Sequence, residues 1–597
     1  MRSFELPPLV VSPDDSNITD LLVDRATKTP NLALYAKETN GGYSSISSSE
    51  FLLEVQQIAK GLIASGIQPS QAVAIMSRTR YEWTALDFAI WFAGAVSVPI
   101  YETSSAAQME WILSNSDTVA LFVENEEHTE RFEQIKAGLP LVRLVMSFDD
   151  SCLEELKKRG KEISDAALEQ RRTSAKISDL ATIIYTSGTT GKPKGCELTH
   201  RGFMELSKNA CLDLDDVIVE GRSTVLFLPL AHVFARFVEV LCVAGGIRVV
   251  HQPDARNVAS SLESFKPEFL LAVPRVFEKV YNSAEQKAEA GGKGEIFRKA
   301  ADVAVAWSEA LDHGGPSAKL KLQHFVFDKL VYKKIRAAMG GRLKYAISGG
   351  APLGTRLGHF FRALGVIVLE GYGLTETTAP ATISRTNSIK IGKVGTPLPG
   401  TGVMIADDGE IWLRGHNIMR GYWRNETATA EVMHGDWFAT GDIGELDEDG
   451  MLAITGRKKE LLVTAGGKNV APAVLEDPLR ANPLIGQVVV IGDAKPFIGA
   501  IVSLDSEMLP IWLANHGGDN TMSLSEAAKS PLVIAAIQKA IDETNKLVSR
   551  AESIRKFVII DSELTEGSGH LTPSLKLKRN VVMKDFAWAV DEIYSND

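Results

Sequence analysis

Ten consecutive residues, Thr186-Ser187-Gly188-Thr189-Thr190-Gly191-Lys192-Pro193-Lys194-Gly195, hold three glycines, four hydroxyl side chains and two lysines. Glycines let a backbone turn tightly and bring its N–H groups close to a ligand. The hydroxyls can donate hydrogen bonds or bind a metal, and the lysines supply positive charge. Together they suit a polyphosphate. The run is not a Walker loop, because Pro193 follows Gly191-Lys192 where that pattern needs Ser or Thr. Such a composition most often makes a flexible surface loop. Here it follows residues 180–185, a short apolar run that reads as a strand, and that context favours the binding role.

Four more runs have side chains fit for chemistry. Ser348-Gly349-Gly350-Ala351-Pro352 follows apolar residues 343–347, and glycines at a strand end let a flat base lie against the backbone. Gly371-Tyr372-Gly373-Leu374-Thr375-Glu376 follows residues 366–369. Tyr372 offers a ring face for stacking, Thr375 a hydroxyl for a phosphate, and Glu376 a hard oxygen ligand suited to Mg2+. Asp442, ending Trp437-Phe438-Ala439-Thr440-Gly441-Asp442, can accept two hydrogen bonds from a ribose diol. Read alone, a Thr-Gly-Asp is more often a capped turn. In Leu228-Pro229-Leu230-Ala231-His232-Val233-Phe234-Ala235-Arg236, a lone His among apolar residues is more often core than catalyst.

In this order and spacing, the runs resemble those of the adenylate-forming superfamily (acyl-CoA synthetases, peptide-synthetase adenylation domains, firefly luciferase). The resemblance spans nearly the whole chain. It implies that Ser187, Gly188, Thr189, Thr190, Gly191, Lys192 and Lys194 cradle the ATP phosphates, and that Thr186 and Glu376 hold Mg2+. It places Gly349, Gly350 and Ala351 against adenine, Gly371, Tyr372 and Thr375 along the nucleotide, and Asp442 on ribose. Arg457 would contact ribose or phosphate, Lys459 would be the hinge, and the loop at Gly466 would face CoA. His232 would line the acyl site rather than act as a general base. Lys576 would reach the carboxylate and α-phosphate during adenylation. Leu575 stands where many members have Gly, so the register is taken from Pro573, and Lys578 is the alternative lysine.

These residues need elements to hold them. Residues 51–65 and 83–93 have helical spacing. Residues 71–76, 96–100, 119–123 and 142–147 read as strands, an alternation that makes a parallel sheet covered by helices. Residues 151–178 read as a polar, helix-prone surface connection, and a strand is expected to end at Pro229. From about 281 to 340 the chain is helix-prone and charged. Together with Arg275-Val276-Phe277-Glu278-Lys279-Val280-Tyr281, this insertion resembles the long-chain branch of the acyl-CoA synthetases. Arg236 falls where some members carry an aromatic gate. The expected fold is α/β: a large N-terminal domain of stacked helix-covered sheets with a β-rich subdomain (1–456), then a small mobile α+β domain (457–597). Strands are expected near 487–491, 497–504 and 557–561, and helices near 531–547 and 581–595.

The 597 residues carry a formal charge of −11, which argues against nucleic acid as the main partner. Cys152, Cys196, Cys211 and Cys242 form no Cys-x-x-Cys pair, so neither zinc nor a disulfide framework is indicated. The N-terminus lacks a signal-peptide core, and the apolar run at 83–101 is interrupted by Asp87 and Pro99. The expectation is therefore a cytoplasmic enzyme, with peripheral membrane association and the choice between monomer and homodimer left open. The reaction implied is activation of a long-chain fatty acid with ATP and Mg2+ to acyl-AMP, then transfer to CoA. The alternatives are an acyl-AMP ligase that loads a carrier protein, and a non-catalytic binding relative.

Overall fold

The computed structural model describes residues 2–186, 192–572 and 576–595. Its largest sheet runs, in spatial order, Leu144–Ser147, Ala120–Val123, Ala72–Met76, Val96–Ile100, Leu180–Thr186 and Lys194–Thr199. All neighbours are parallel except the last pair, so the chain leaves Thr186 and returns antiparallel from Lys194.

A second sheet joins Ser223–Leu226, Arg248–His251, Ala33–Thr39 and Gly42–Ser47, and a third joins Phe269–Ala272, Tyr345–Ser348, Ile367–Leu374, Ala379–Ile383 and Thr396–Pro397. One continuous core fills the space between the inner faces of these sheets. The helix Tyr81–Phe92 lies in it with every residue but Glu82 buried, as an apolar-all-round helix must. Asp87, which interrupts that apolar run, meets Arg236 of the helix Val233–Gly245 through bonds of 2.8 and 2.7 Å to its two carboxylate oxygens. The pair is buried and surrounded by Trp83, Trp91 and Phe203. Arg236 is thus a core ion pair in this chain.

The β-rich subdomain contains the antiparallel strands Thr401–Ile405, Glu410–Gly415 and Trp437–Leu446, edged by Arg2–Glu5 from the N-terminus. The chain beyond Leu462 builds its own three-stranded sheet, Ile485–Ile491, Ile498–Leu504 and Ile554–Ile560, with an apolar cluster on each face. The architecture is the expected α/β one, with a large N-terminal and a smaller C-terminal unit.

The helix-prone residues 151–178 form the helices Cys152–Arg159 and Asp165–Arg172, and the first packs so closely on Ser48–Ala64 that a Cβ on Gly61 would meet the Leu156 carbonyl oxygen at 2.1 Å. Two expectations need correction. The strand expected to reach Pro229 ends at Leu226; beyond it the Leu228 carbonyl accepts from the Thr79 hydroxyl and Leu230 N–H donates to that hydroxyl, in place of bonds to a neighbouring strand. The C-terminal helix is two, Arg579–Asp585 and Ala587–Tyr594, broken at Phe586, whose buried ring packs on His570. The hairpin of Ala33–Thr39 with Gly42–Ser47 went unread in the sequence.

Candidate active site

The site forms where strand ends of the first and third sheets meet the β-rich subdomain and the small C-terminal unit. The phosphate-loop residues Ser187, Gly188, Thr189, Thr190 and Gly191 lie outside the described residues, as do Pro573 and Leu575. Both ends of the loop are in place. Thr186 closes the strand Leu180–Thr186, and its hydroxyl donates to the Lys194 carbonyl oxygen at 3.4 Å. The Lys192 ammonium sits over the Trp111 ring at 4.2 Å, and Trp111 N–H donates to the Pro193 carbonyl oxygen at 2.9 Å.

The strand Lys194–Thr199 is bridged to residues 420–423: Glu197 N–H donates to Gly421 and Trp423 N–H to Gly195, at 2.9 and 2.7 Å. This carries Tyr422 between the loop and the third sheet. Its ring faces the Lys194 ammonium at 4.9 Å, and its hydroxyl donates to Glu376 Oε1 at 2.9 Å. Sequence reasoning missed Tyr422, since its role depends on a bridge between segments more than 200 residues apart. Only its place between Gly421 and Trp423 hinted at a special turn.

The strand Ile367–Leu374 runs through Gly371, Tyr372 and Gly373 with a shift of register between Tyr372 and Gly373, and Thr375 and Glu376 lie in the 3-10 turn Thr375–Thr377. Burial, with Asp442 close by, pushes the Tyr372 phenol well above its ordinary pKa, so it stays protonated and donates to Asp442 Oδ2 at 2.7 Å. The other oxygen of Asp442 pairs with Arg457 Nε at 3.1 Å. Gly441 in turn donates its N–H to Glu410 at 2.8 Å, and Lys458 pairs with Glu410 at 2.9 Å. The carboxylate of Asp442 is therefore aimed from both sides. Gly349 packs close to the Phe234 ring, which a Cβ there would meet at 3.1 Å, tighter than an ordinary contact. Gly350 and Ala351 follow it in the loop past Ser348.

His232 is the N-cap of the helix Val233–Gly245, and its Nδ1 accepts the Phe234 N–H at 3.2 Å, which leaves the ring proton on Nε2. Burial, with the Lys576 ammonium near, lowers its pKa to about 4. It is a neutral imidazole near pH 7. Lys576 arrives from the C-terminal unit. Water reaches its side chain, although protein surrounds it closely enough that desolvation, then the Arg457 guanidinium, lowers its pKa against the pull of Asp442, Glu376 and Glu460. Lys576 N–H donates to the Thr572 hydroxyl at 3.0 Å and its carbonyl accepts from Thr572 N–H at 2.8 Å, which ties Lys576 to Thr572.

The structure thus brings together Glu376, Tyr372, Asp442, Arg457, His232 and Lys576, with Thr186 and Lys194 beside them. It does not bring Gly466 there. That glycine lies in the turn of the hairpin Leu462–Val463 with Asn469–Val470, where Ala465 N–H donates to the Lys495 carbonyl oxygen and Lys468 pairs with Glu552 of the same unit. Lys459 is exposed in the 3-10 turn Lys458–Glu460, with no ion pair among the described residues. Lys578 donates its backbone N–H to His570.

A family model described as AMP-binding enzyme matches residues 22–423, and one described as AMP-binding enzyme C-terminal domain matches residues 459–597. The chain belongs to the AMP-binding enzyme family. Among its relatives is the long-chain-fatty-acid–CoA ligase FadD15 of Mycobacterium tuberculosis, 46% identical over the full length of both chains. The long-chain-fatty-acid–CoA ligase ACSBG2 of Xenopus laevis is 30% identical over 99% of this chain and 84% of that protein. Among solved structures, the A domain of a carboxylic acid reductase from Segniliparus rugosus, with AMP and a carboxylic acid, superposes at a TM-score of 0.74, 19% identical, covering 98% of this chain and 95% of that one. An anthranilate CoA ligase with anthranoyl-AMP does so at 0.71, 21% identical, covering 97% of this chain and 98% of that one. These likenesses carry the fold.

Proposed function

We propose that this protein is a long-chain fatty acid–CoA ligase: it activates the acid with ATP to acyl-AMP and pyrophosphate, then transfers the acyl group to CoA, releasing AMP. The observation that carries the reading is the meeting of Lys576, from the small unit, with Asp442, Glu376 and His232 from the large one. The full-length relatives named as long-chain-fatty-acid–CoA ligases support the substrate class.

A carboxylate is a poor acyl donor until its oxygen is made a good leaving group. In the first step its oxygen attacks the α-phosphorus, the bond to the bridging β-phosphate oxygen breaks, and pyrophosphate leaves with the electron pair. Two anions must approach, so positive charge dominates the barrier. Lys576 supplies it at the carboxylate and α-phosphate, and Lys192, Lys194 and the loop N–H groups supply it along the phosphates. Asp442, held by Tyr372 and Arg457, binds the ribose diol, and Gly349, Gly350 and Ala351 with Gly371 and Tyr372 form the base and sugar wall. His232, neutral and capping its helix, lines the acyl carboxylate's approach. The carboxylate of Glu376, oriented by Tyr422, and the hydroxyl of Thr186 are a hard-oxygen donor set that suits Mg2+, which when bound neutralises phosphate charge.

We take the domain division at Gly456 and Arg457, with Lys459 as the hinge. The observed arrangement is then the adenylating one, and a rotation about Lys459 would bring Gly466 to the site in place of Lys576 for attack of the CoA thiol. The test is product analysis with ATP, Mg2+, CoA and saturated acids from acetate to lignocerate. Acyl-CoA and AMP rising with chain length support the reading. Acyl-AMP without thioester would move the protein to the carrier-loading ligases, and no turnover on any acid would reject it.

A further inference from the structure

The helix Ala318–Phe327 has no buried residue, although a surface helix ordinarily buries an apolar stripe. Phe327 packs half-buried against the core, but Leu322 is 65% exposed, Phe325 57%, Val326 43%, and Leu330 in the following turn 53%. Their spacing puts them on one side. The other side is fastened to the molecule, His324 stacking on Trp307 at 4.4 Å and its Nε2 bonding the Ala363 carbonyl oxygen at 2.8 Å. The outward side is therefore fixed in place and unpartnered.

Lysines ring it. Lys319, Lys321, Lys329, Lys333 and Lys334 are exposed, and none has a carboxylate within ion-pair distance among the described residues. Residues 318–338 hold six basic side chains and one acid, Asp328, in a chain whose net charge is −11. That acid is taken by Arg336 at 2.6 Å. Beside the helix opens a cleft of about 720 Å³ whose Arg336, Arg342 and Arg362 are paired with Asp328, Glu268 and Asp312, so the positive surface is that of the lysines on the helix and its following turn.

We propose that this helix docks the protein on the surface of an anionic lipid bilayer. An apolar stripe with lysines interleaved suits the headgroup boundary, where the rings and aliphatic groups enter the acyl region and lysine stems reach back to anionic headgroups. A protein partner fits less well, because lysine is depleted from protein interfaces. Binding of this kind needs no ATP, CoA or fatty acid, so it stands or falls apart from the ligase reading.

The test is co-sedimentation of the full-length protein with vesicles of phosphatidylcholine, alone or mixed with phosphatidylglycerol. The expected result is pelleting with the mixed vesicles at low salt, weakening as salt rises. Leu322→Ser with Phe325→Ser, and separately Lys319→Glu with Lys333→Glu, should each weaken it roughly tenfold or more. All four positions are exposed, and unchanged circular dichroism and thermal midpoint would verify folding. Failure of the wild type to pellet with anionic vesicles overturns the proposal. So does equal binding by both double variants, and so does a wild-type dimer that Phe325→Ser converts to monomer without any lipid binding.

Discussion

At the scale of the residue, the groups proposed to touch substrate stood out in the sequence because each has a side chain few structural jobs require. Glu376 and Asp442 are carboxylates that follow glycines at Gly373 and Gly441, and Lys576 is a lysine shortly after Pro573 in the sequence. What the sequence could not reveal is how each is held. Tyr422 reaches Glu376, and Tyr372 reaches Asp442, across 46 and 70 residues of chain. Asp87 and Arg236 each looked anomalous in an apolar run; their 149-residue separation hid that they satisfy each other. Replacing Arg236 with Met should strand a buried Asp87 and cost about 3–5 kcal/mol, read as a lowered urea midpoint. Arg236→Met with Asp87→Leu should recover most of that loss; a double variant as unstable as the single would refute the pairing. Two histidines, His200 and His232, set part of a pH response. Burial lowers His200 and His232 from 6.5 to about 4, so the unfolded chain takes up protons first as pH falls. Their contribution to stability is complete above about 6.5 and is lost between there and about 4. His200→Gln should flatten that decline in pH-dependent urea unfolding, and an unchanged slope would count against it.

At the scale of the element, strands buried on both faces were legible because they are continuous apolar runs, and Val96–Ile100 was read with its true ends. The hairpin of Ala33–Thr39 and Gly42–Ser47 escaped because its outer face is polar and its partner Arg248–His251 lies far along the chain. The helix Pro274–Ala290 was read as part of an insertion, and its first turns prove to be where the small unit rests. Arg275 bonds Asp505 at 2.5 Å, Lys279 bonds Glu507 at 2.8 Å, and Gln286 accepts from Asn515 at 2.7 Å. Asp505 is buried, so losing its arginine matters more than losing an exposed partner such as Lys279. Arg275→Ala should slow acyl-AMP formation several-fold, on the order of 1 kcal/mol, by loosening the docked arrangement. Its thioester step from supplied acyl-AMP should be unchanged, and equal slowing of both would contradict the latch.

At the scale of the molecule, the account is of one set of ligands served by two faces of a small unit in turn. Lys576 stands at the site while the turn at Gly466 is hydrogen-bonded to Lys495 within its own unit. Lys459→Pro, which stiffens the turn between the units, should leave acyl-AMP formation and abolish most thioester release; full overall activity in that variant would remove the need for rotation. The most direct test assays the half-reactions separately in Lys576→Ala: pyrophosphate release from ATP and palmitate, and palmitoyl-CoA formation from supplied palmitoyl-AMP. The account predicts that the first falls by on the order of 100-fold or more while the second stays near the wild-type rate. Equal loss of both, or full retention of the first, would contradict it.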